Sequence, residues 1–135
     1  MRIAEKKATP TPRPTDAELA ILNVLWQRGP STVRDVYEAL SASQGTGYTT
    51  VLKLMQIMTE KGLVVRDESQ RAHVYTAKQS ERRTQRQLLG DLMDRAFGGS
   101  SAKLVLNALS DHPASAQELR NIRALLDQLE KEDAR

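Results

Sequence analysis

One pair of short β-prone runs, with helical patterns on both sides, limits what this chain of 135 residues can fold into. The runs are 63–66 (LVVR) and 72–76 (AHVYT), and the polar segment 67–71 between them predicts a hairpin tip. An isolated two-stranded hairpin is only marginally stable in water. The hairpin must therefore pack against the helices that precede it.

Two amphipathic helices are predicted at the start of the ordered chain. Thr15 and Glu18 have the spacing of a capping box, which starts the first helix, and Gly29-Pro30 ends it. We expect Ser31 to cap the second helix. The small, polar stretch 41–47 predicts a turn after it.

The third predicted helix runs from Tyr48 to Lys61. At about 100° per residue, Val51, Leu54, Met55 and Met58 share one arc, which must face the core. Three helices followed by a hairpin predict a winged helix-turn-helix domain over residues 15–79. Residues 1–14 contain three prolines and no apolar period, and we expect a disordered tail there.

Residues 80–135 predict three further helices, so that the whole chain is mainly α. The starts of these helices are marked by Ser80, by Ser100 or Ser101, and by a second capping box at 115–118. Gly98-Gly99 separates the first of these helices from the second. In the last helix the apolar residues are spaced as in a coiled coil. We interpret this region as a dimerisation region, with apolar contacts from Leu92, Leu104, Val105, Leu109, Leu119, Ile122, Leu126 and Leu129.

The outward side of the third helix is a candidate DNA-reading surface. Threonine can bond a base edge or pack on a thymine methyl, and lysine can reach guanine or phosphate. Basic groups on the hairpin would contact the DNA backbone, which adds affinity but little sequence information. The candidate DNA-binding residues are Thr46 just before the helix, Tyr48, Thr49, Thr50, Lys53 and Gln56 on the helix, and Arg66, Arg71 and His73 on the hairpin.

Composition restricts the other functions. There is no cysteine, which excludes thiolate metal sites and cysteine nucleophiles, and there are only two histidines, which offer few imidazole ligands. No hydrolase elbow, glycine-rich phosphate loop or HExxH motif occurs, so we expect no enzyme, no catalytic residue, no metal and no cofactor. No apolar run has the roughly 20 residues that span a bilayer, and no signal peptide is visible, so we expect a soluble, cytoplasmic protein without membrane insertion.

The excess of positive over negative charge lies entirely in the first part of the chain. Residues 1–80 carry 11 Lys/Arg against 8 Asp/Glu, whereas residues 81–135 carry 9 of each. This favours phosphate as the partner of the first part and protein as the partner of the second.

Two other functions stay open at this point. A solvated amphipathic helix has the same periodicity as a DNA-reading helix, because periodicity marks burial. A winged-helix module that binds protein instead of DNA would use Leu52, which falls on the outward side. A small hydrolase is the other alternative, and the missing motifs argue against it.

Several segments resemble the BlaI/MecI/CopY family of bacterial repressors in order and spacing. The similarity extends over residues 14–135. The segments are 14–19 (PTDAEL), 24–26 (VLW), 47–51 (GYTTV), 60–64 (EKGLV) and 74–75 (VY).

The resemblance implies a homodimer that binds a double-stranded, palindromic operator through the third helix and the wing. In β-lactam-responsive members a membrane sensor peptidase triggers cleavage of the repressor at an Asn-Phe bond. The matching bond is Asn107–Ala108, where alanine replaces phenylalanine. Members of the CopY type end in a cysteine-rich metal motif, and the lack of cysteine excludes copper-thiolate sensing here.

Overall fold

The computed structural model describes residues 12–134. Six helices and one hairpin follow each other in the predicted order. They are α1 (Asp16–Arg28), α2 (Val33–Gln44), α3 (Tyr48–Lys61), β1 (Val64–Asp67), β2 (Val74–Ala77), α4 (Glu81–Ala96), α5 (Ser101–Asp111) and α6 (Ala116–Asp133). Three helices and then a two-stranded wing are the winged-helix arrangement, so the predicted fold class is confirmed.

The core of the winged-helix domain is formed by one apolar stripe from each of the first three helices and by the hairpin. Burying these side chains removes apolar surface from water and holds the hairpin against the helices. The buried side chains are Ile21, Leu22, Leu25, Val33, Val36, Leu40, Val51, Met55, Met58, Leu63, Val64 and Tyr75.

The hairpin is joined to the helices through a third short stretch of extended chain. β1 and β2 are antiparallel, with Arg66 opposite Tyr75. On the other side of β2, Ser31 forms a β-bridge with Tyr75, whose N–H donates to the Ser31 carbonyl at 2.8 Å. The wing is thus fixed to the start of α2 by hydrogen bonds as well as by burial.

The predicted cap of α2 was wrong by one residue. Thr32 is the N-cap, and its hydroxyl accepts the Asp35 N–H while the Asp35 carboxylate accepts the Thr32 N–H. These bonds from the Thr32 backbone and side chain lower the pKa of Asp35. Ser31 has Arg34 three residues later, which cannot close such a box.

The predicted turn over 41–47 was too long. α2 continues to Gln44 and ends at Gly45, which has a left-handed backbone at φ 66°. Nothing in Ala42, Ser43 or Gln44 prevents a helix, and the first residue that readily adopts positive φ is the glycine.

The chain divides into two compact units, of which the first ends at Leu89 and the second begins at Gly90. The predicted boundary lay at 79/80. The first part of α4 belongs with the winged helix, because Thr84 is buried and lines a small cavity together with Leu22 of α1 and Leu63. Of the expected tail, the structure describes residues 12–14, where Pro14 is buried, and residues 1–11 lie outside the described part.

The second unit differs from the first in the burial of its apolar side chains. No side chain of α5 or α6 is buried. The large apolar side chains of this part of the chain that are more than 40% exposed are Leu92, Val105, Leu106, Leu119, Leu125, Leu126 and Leu129.

Candidate nucleic-acid interface

The exposed face of α3 begins at an uncapped helix end. Within residues 12–134, every other helix has a serine or threonine hydroxyl that accepts a first-turn amide, but Gly47 before α3 gives no side-chain cap. The amides of the first α3 turn are therefore available to an outside acceptor. Such amides, with the positive end of the helix dipole, favour a phosphate group.

The predicted outward residues of α3 lie where the periodicity placed them. Thr49, Lys53 and Gln56 are exposed along one side, while Val51, Met55 and Met58 are completely buried on the other. Thr50 is also exposed, and Thr46 is half-buried. Lys53 forms no ion pair with any residue between 12 and 134, so its ammonium group is available to DNA.

Leu52 is less exposed than the outward position predicts. It is half-buried and packs against the core cluster. Its side chain also lines the groove described below. It therefore does not offer the exposed apolar contact that a protein-binding surface would need.

The three basic groups predicted on the wing differ in availability. The Arg66 guanidinium forms an ion pair with Glu68, with Nη2 and Oε2 2.8 Å apart, and hydrogen bonds to Tyr75 and Glu68 raise its pKa. Arg71 and His73 are exposed at the end of the hairpin loop. The DNA-binding role of all three stays a prediction, but only Arg66 has a competing carboxylate at ion-pair distance in the described chain.

An open groove of about 470 Å³ separates the start of α3 from the wing. The first turns of α2 and α3 form one wall, and the end of the hairpin loop forms the other. We call it the α2–wing groove, and its lining includes Arg34, Tyr48, Leu52, Arg71, His73 and Tyr75.

Arg34, on the α2 side of this groove, was not among the residues predicted from the sequence, whereas Tyr48 was. The Tyr48 ring stands edge-on to Tyr37, with ring centroids 5.6 Å apart, and the Arg34 guanidinium lies 5.5 Å from the Tyr48 ring centroid. The signal that would have found Arg34 is its place in the first turn of α2, which adjoins α3 in this fold.

The candidate dimerisation and cleavage residues lie in the second half of the chain. The apolar residues of α6 that are spaced as in a coiled coil form its seam, which consists of Leu119, Ile122, Leu126 and Leu129. They share one side of the helix and are exposed or half-buried. Asn107 and Ala108 lie inside α5, and the Asn107 side-chain amide donates to the Lys103 carbonyl at 2.8 Å.

Neither a metal-binding cluster nor a membrane-spanning helix occurs between residues 12 and 134. No three histidine, aspartate or glutamate residues there lie close enough to hold an ion. No helix there is sufficiently long and apolar to cross a bilayer.

The fold and the exposed face of α3 define a class: winged-helix DNA-binding proteins. The family model described as penicillinase repressor matches residues 14–128. The chain therefore belongs to the penicillinase repressor family, and it is a DNA-binding transcriptional repressor.

The chain is also similar to individual proteins. The chain is 34% identical over 116 residues to the transcriptional regulator BlaI of Mycobacterium tuberculosis, with 85% of this chain and 83% of the relative covered. It is 23% identical over 117 residues to the penicillinase repressor of Bacillus licheniformis, with 87% and 91% covered. The solution structure of the DNA-binding domain of the repressor BlaI matches with a TM-score of 0.49 and 25% identity, over 53% of this chain and 88% of that domain.

Proposed function

We propose that this chain represses transcription as a homodimer that binds a palindromic operator, with α3 in the major groove of each half-site. The observation that carries the proposal is the start of α3, where free amides, two threonines and an unpaired lysine share one exposed surface. N-terminal residues of a recognition helix contact base edges in this arrangement. Because an operator lies on the chromosome, the proposal also places the protein in the cytoplasm.

Each contact has a different role in the proposal. Thr49, Lys53 and Gln56 read base edges, and Thr46, Tyr48 and Thr50 lie around the amides that meet phosphate. Arg71 and His73 contact the backbone from the wing. Arg66 contributes less, because Glu68 already occupies its guanidinium.

The exposed apolar side of α6 supports the homodimer. An 18-residue helix with no buried side chain is marginal in water, so this side needs a cover. A second copy presents the same apolar side, and a two-fold axis makes the two surfaces complementary. Two half-sites in one operator then match two copies of the protein.

Proteolysis in the C-terminal half is the proposed route of relief, with a membrane sensor peptidase as the partner that initiates it. The Asn107–Ala108 bond lies in the middle of α5, whose backbone is helical on both sides. A peptidase that binds its substrate as an extended strand therefore needs α5 to unwind first.

The proposal is tested by fluorescence anisotropy on a duplex from the promoter of the protein's own gene and on a scrambled duplex. Tighter binding to the promoter duplex, with a steep loss of affinity between about 50 and 200 mM salt, is expected. Equal affinity for the two duplexes would contradict operator recognition.

Substitution of Lys53 by alanine separates base reading from backbone contact. Loss of one base contact relaxes discrimination at one operator position by about 1–3 kcal/mol. The matched change Arg71→Ala weakens binding equally on both duplexes, because backbone contacts are the same on every sequence. Measured affinities on single-position operator variants check both, and uniform loss for Lys53→Ala would remove its assigned role.

A further inference from the structure

The α2–wing groove is lined by basic groups and by no carboxylate among the described residues. Arg34 stands on one wall, and Arg71 and His73 stand on the other. The groove adjoins Tyr48, the first residue of α3, where the unpaired amides lie. Positive groups on two walls beside free amides fit a chain of phosphates better than they fit a neutral or cationic ligand.

Arg34 is held at the rim of this groove by an aromatic ring. Its guanidinium lies 5.5 Å from the Tyr48 ring centroid, and the edge contact with Tyr37 fixes that ring in turn. A guanidinium in cation–π contact with a ring still has N–H donors for a second partner, in a fork that matches phosphate oxygens.

Glu38, the acidic neighbour of Arg34, competes only weakly with a phosphate group for the Arg34 guanidinium. Arg34 Nη1 and Glu38 Oε2 are 4.0 Å apart, at the limit of an ion pair, and the two side chains are 67% and 60% exposed. Exposed pairs of this kind contribute little. The contrast is Arg66, whose guanidinium Nη2 lies 2.8 Å from its carboxylate partner.

We propose that the α2–wing groove receives the sugar-phosphate backbone of one DNA strand, and that Arg34, positioned by Tyr48, is its phosphate-binding residue on the α2 side. The inference rests on the proposed function, because the same docking places α3 in the adjoining major groove. Arg34 adds affinity without sequence preference. Tyr48 is a positioning residue for Arg34.

The first experiment compares Arg34→Gln with the wild type in the full chain, by anisotropy on the promoter and scrambled duplexes over a salt series. Loss of one phosphate contact lowers the slope of log affinity against log salt by about one for each bound chain. Affinity at low salt falls about tenfold on both duplexes. Arg86→Gln, an exposed arginine of α4 outside the groove, is the control of equal charge and leaves the slope nearly unchanged.

The second experiment tests the positioning role of the ring. Tyr48→Phe keeps the ring and the salt slope, whereas Tyr48→Ala lowers the slope. Arg34→Gln combined with Tyr48→Ala loses less than the sum of the single losses, because both remove the same contact. Thermal unfolding of every variant checks that the fold is intact.

The outcomes separate this inference from the function it rests on. If the wild type does not prefer the promoter duplex, both fall. If the wild type prefers it and Lys53→Ala relaxes specificity, but Arg34→Gln behaves as Arg86→Gln does, only the groove assignment falls. Strictly additive losses for Arg34 and Tyr48 would overturn the positioning role.

Discussion

The carboxylate of Glu18 joins two distant parts of the winged-helix core. It accepts the Thr15 N–H at 2.9 Å and so closes the capping box of α1. It also accepts hydrogen bonds from Lys61 Nζ, which lies 3.0 Å from one carboxylate oxygen and 2.8 Å from the other. Burial raises the pKa of Glu18, but the hydrogen bonds and charge of Lys61 and the bonds to Thr15 outweigh it and lower the pKa below 4.5.

Glu18→Gln is expected to lower the free energy of unfolding by about 2 kcal/mol at neutral pH, the usual contribution of a hydrogen bond to a charged group. Glutamine retains an oxygen for the Thr15 N–H, so the change removes mainly the ion pair with Lys61. Denaturant unfolding at one fixed protein concentration measures the effect. Glu38→Gln, at the exposed pair with Arg34, is the matched control and changes stability by less than about 1 kcal/mol.

The same pair gives a pH dependence of known sign. Because folding lowers the pKa of Glu18, its stabilisation is present above pH 4.5 and is lost as pH falls below that value towards the folded-state pKa. Unfolding of the wild type and of Glu18→Gln should therefore differ at pH 7 and converge in more acidic solution. A stability difference that stays constant from pH 7 down to the acid transition would mean that the carboxylate charge is not what matters.

At the residue scale, the sequence predicts local hydrogen bonds and misses distant ones. The capping box of Glu18 was predicted because its partner lies three residues away. Its ion pair with Lys61 spans 43 residues, and no local pattern indicates it. The cation–π contact of Arg34 with Tyr48 was missed for the same reason, since α2 and α3 meet only in the folded chain.

At the scale of elements, type and order were predictable, but exact ends depended on which residues can close a cap. α3 was predicted with its observed bounds, because Gly47 and Gly62 flank an unbroken apolar period. The start of α2 was misplaced, because two adjacent hydroxyl residues, Ser31 and Thr32, both fit a cap. Only the acid at Asp35 distinguishes them.

The proposed cleavage within α5 requires that helix to open, so its rate is expected to follow the stability of the helix. Ala108→Gly lowers helix propensity by about 1 kcal/mol, so the opened form becomes about fivefold more populated. Cleavage by a non-specific protease at 107–108 should accelerate by about the same factor, if opening is fast relative to cleavage. Timed proteolysis with mass mapping of the fragments measures this rate.

Ala124→Gly is the matched control for that experiment, because Ala124 is also exposed and lies in α6, the next helix of the second unit. It should leave the rate at 107–108 unchanged. If both glycine variants accelerate cleavage there equally, the second unit opens as a whole, and α5 is not the limiting element.

For the whole molecule, the sequence predicts a regular apolar side on the helices of both units. It does not show which of these sides are buried within one chain. The stripes of α1, α2 and α3 are buried within one chain, whereas the equally regular seam of α6 has no buried member. Periodicity indicates that a side will be covered, but it does not identify what covers it. The exposed leucines of α6 are therefore the feature that connects the fold of one chain to the proposed assembly.

Leu126→Glu tests this connection, since it places a charge in the centre of the α6 seam. The dimer should dissociate at micromolar concentrations, and affinity for a two-half-site operator should fall by about 10²–10⁴, because the second half-site no longer binds as an intramolecular event. Affinity for a single half-site should be unchanged, since α3 and the wing are intact. Ala124→Glu carries the same charge about 180° around α6 and should preserve the dimer. Sedimentation velocity and anisotropy on both duplexes give the two readouts, and a Leu126→Glu protein that remains dimeric would place the interface on another surface.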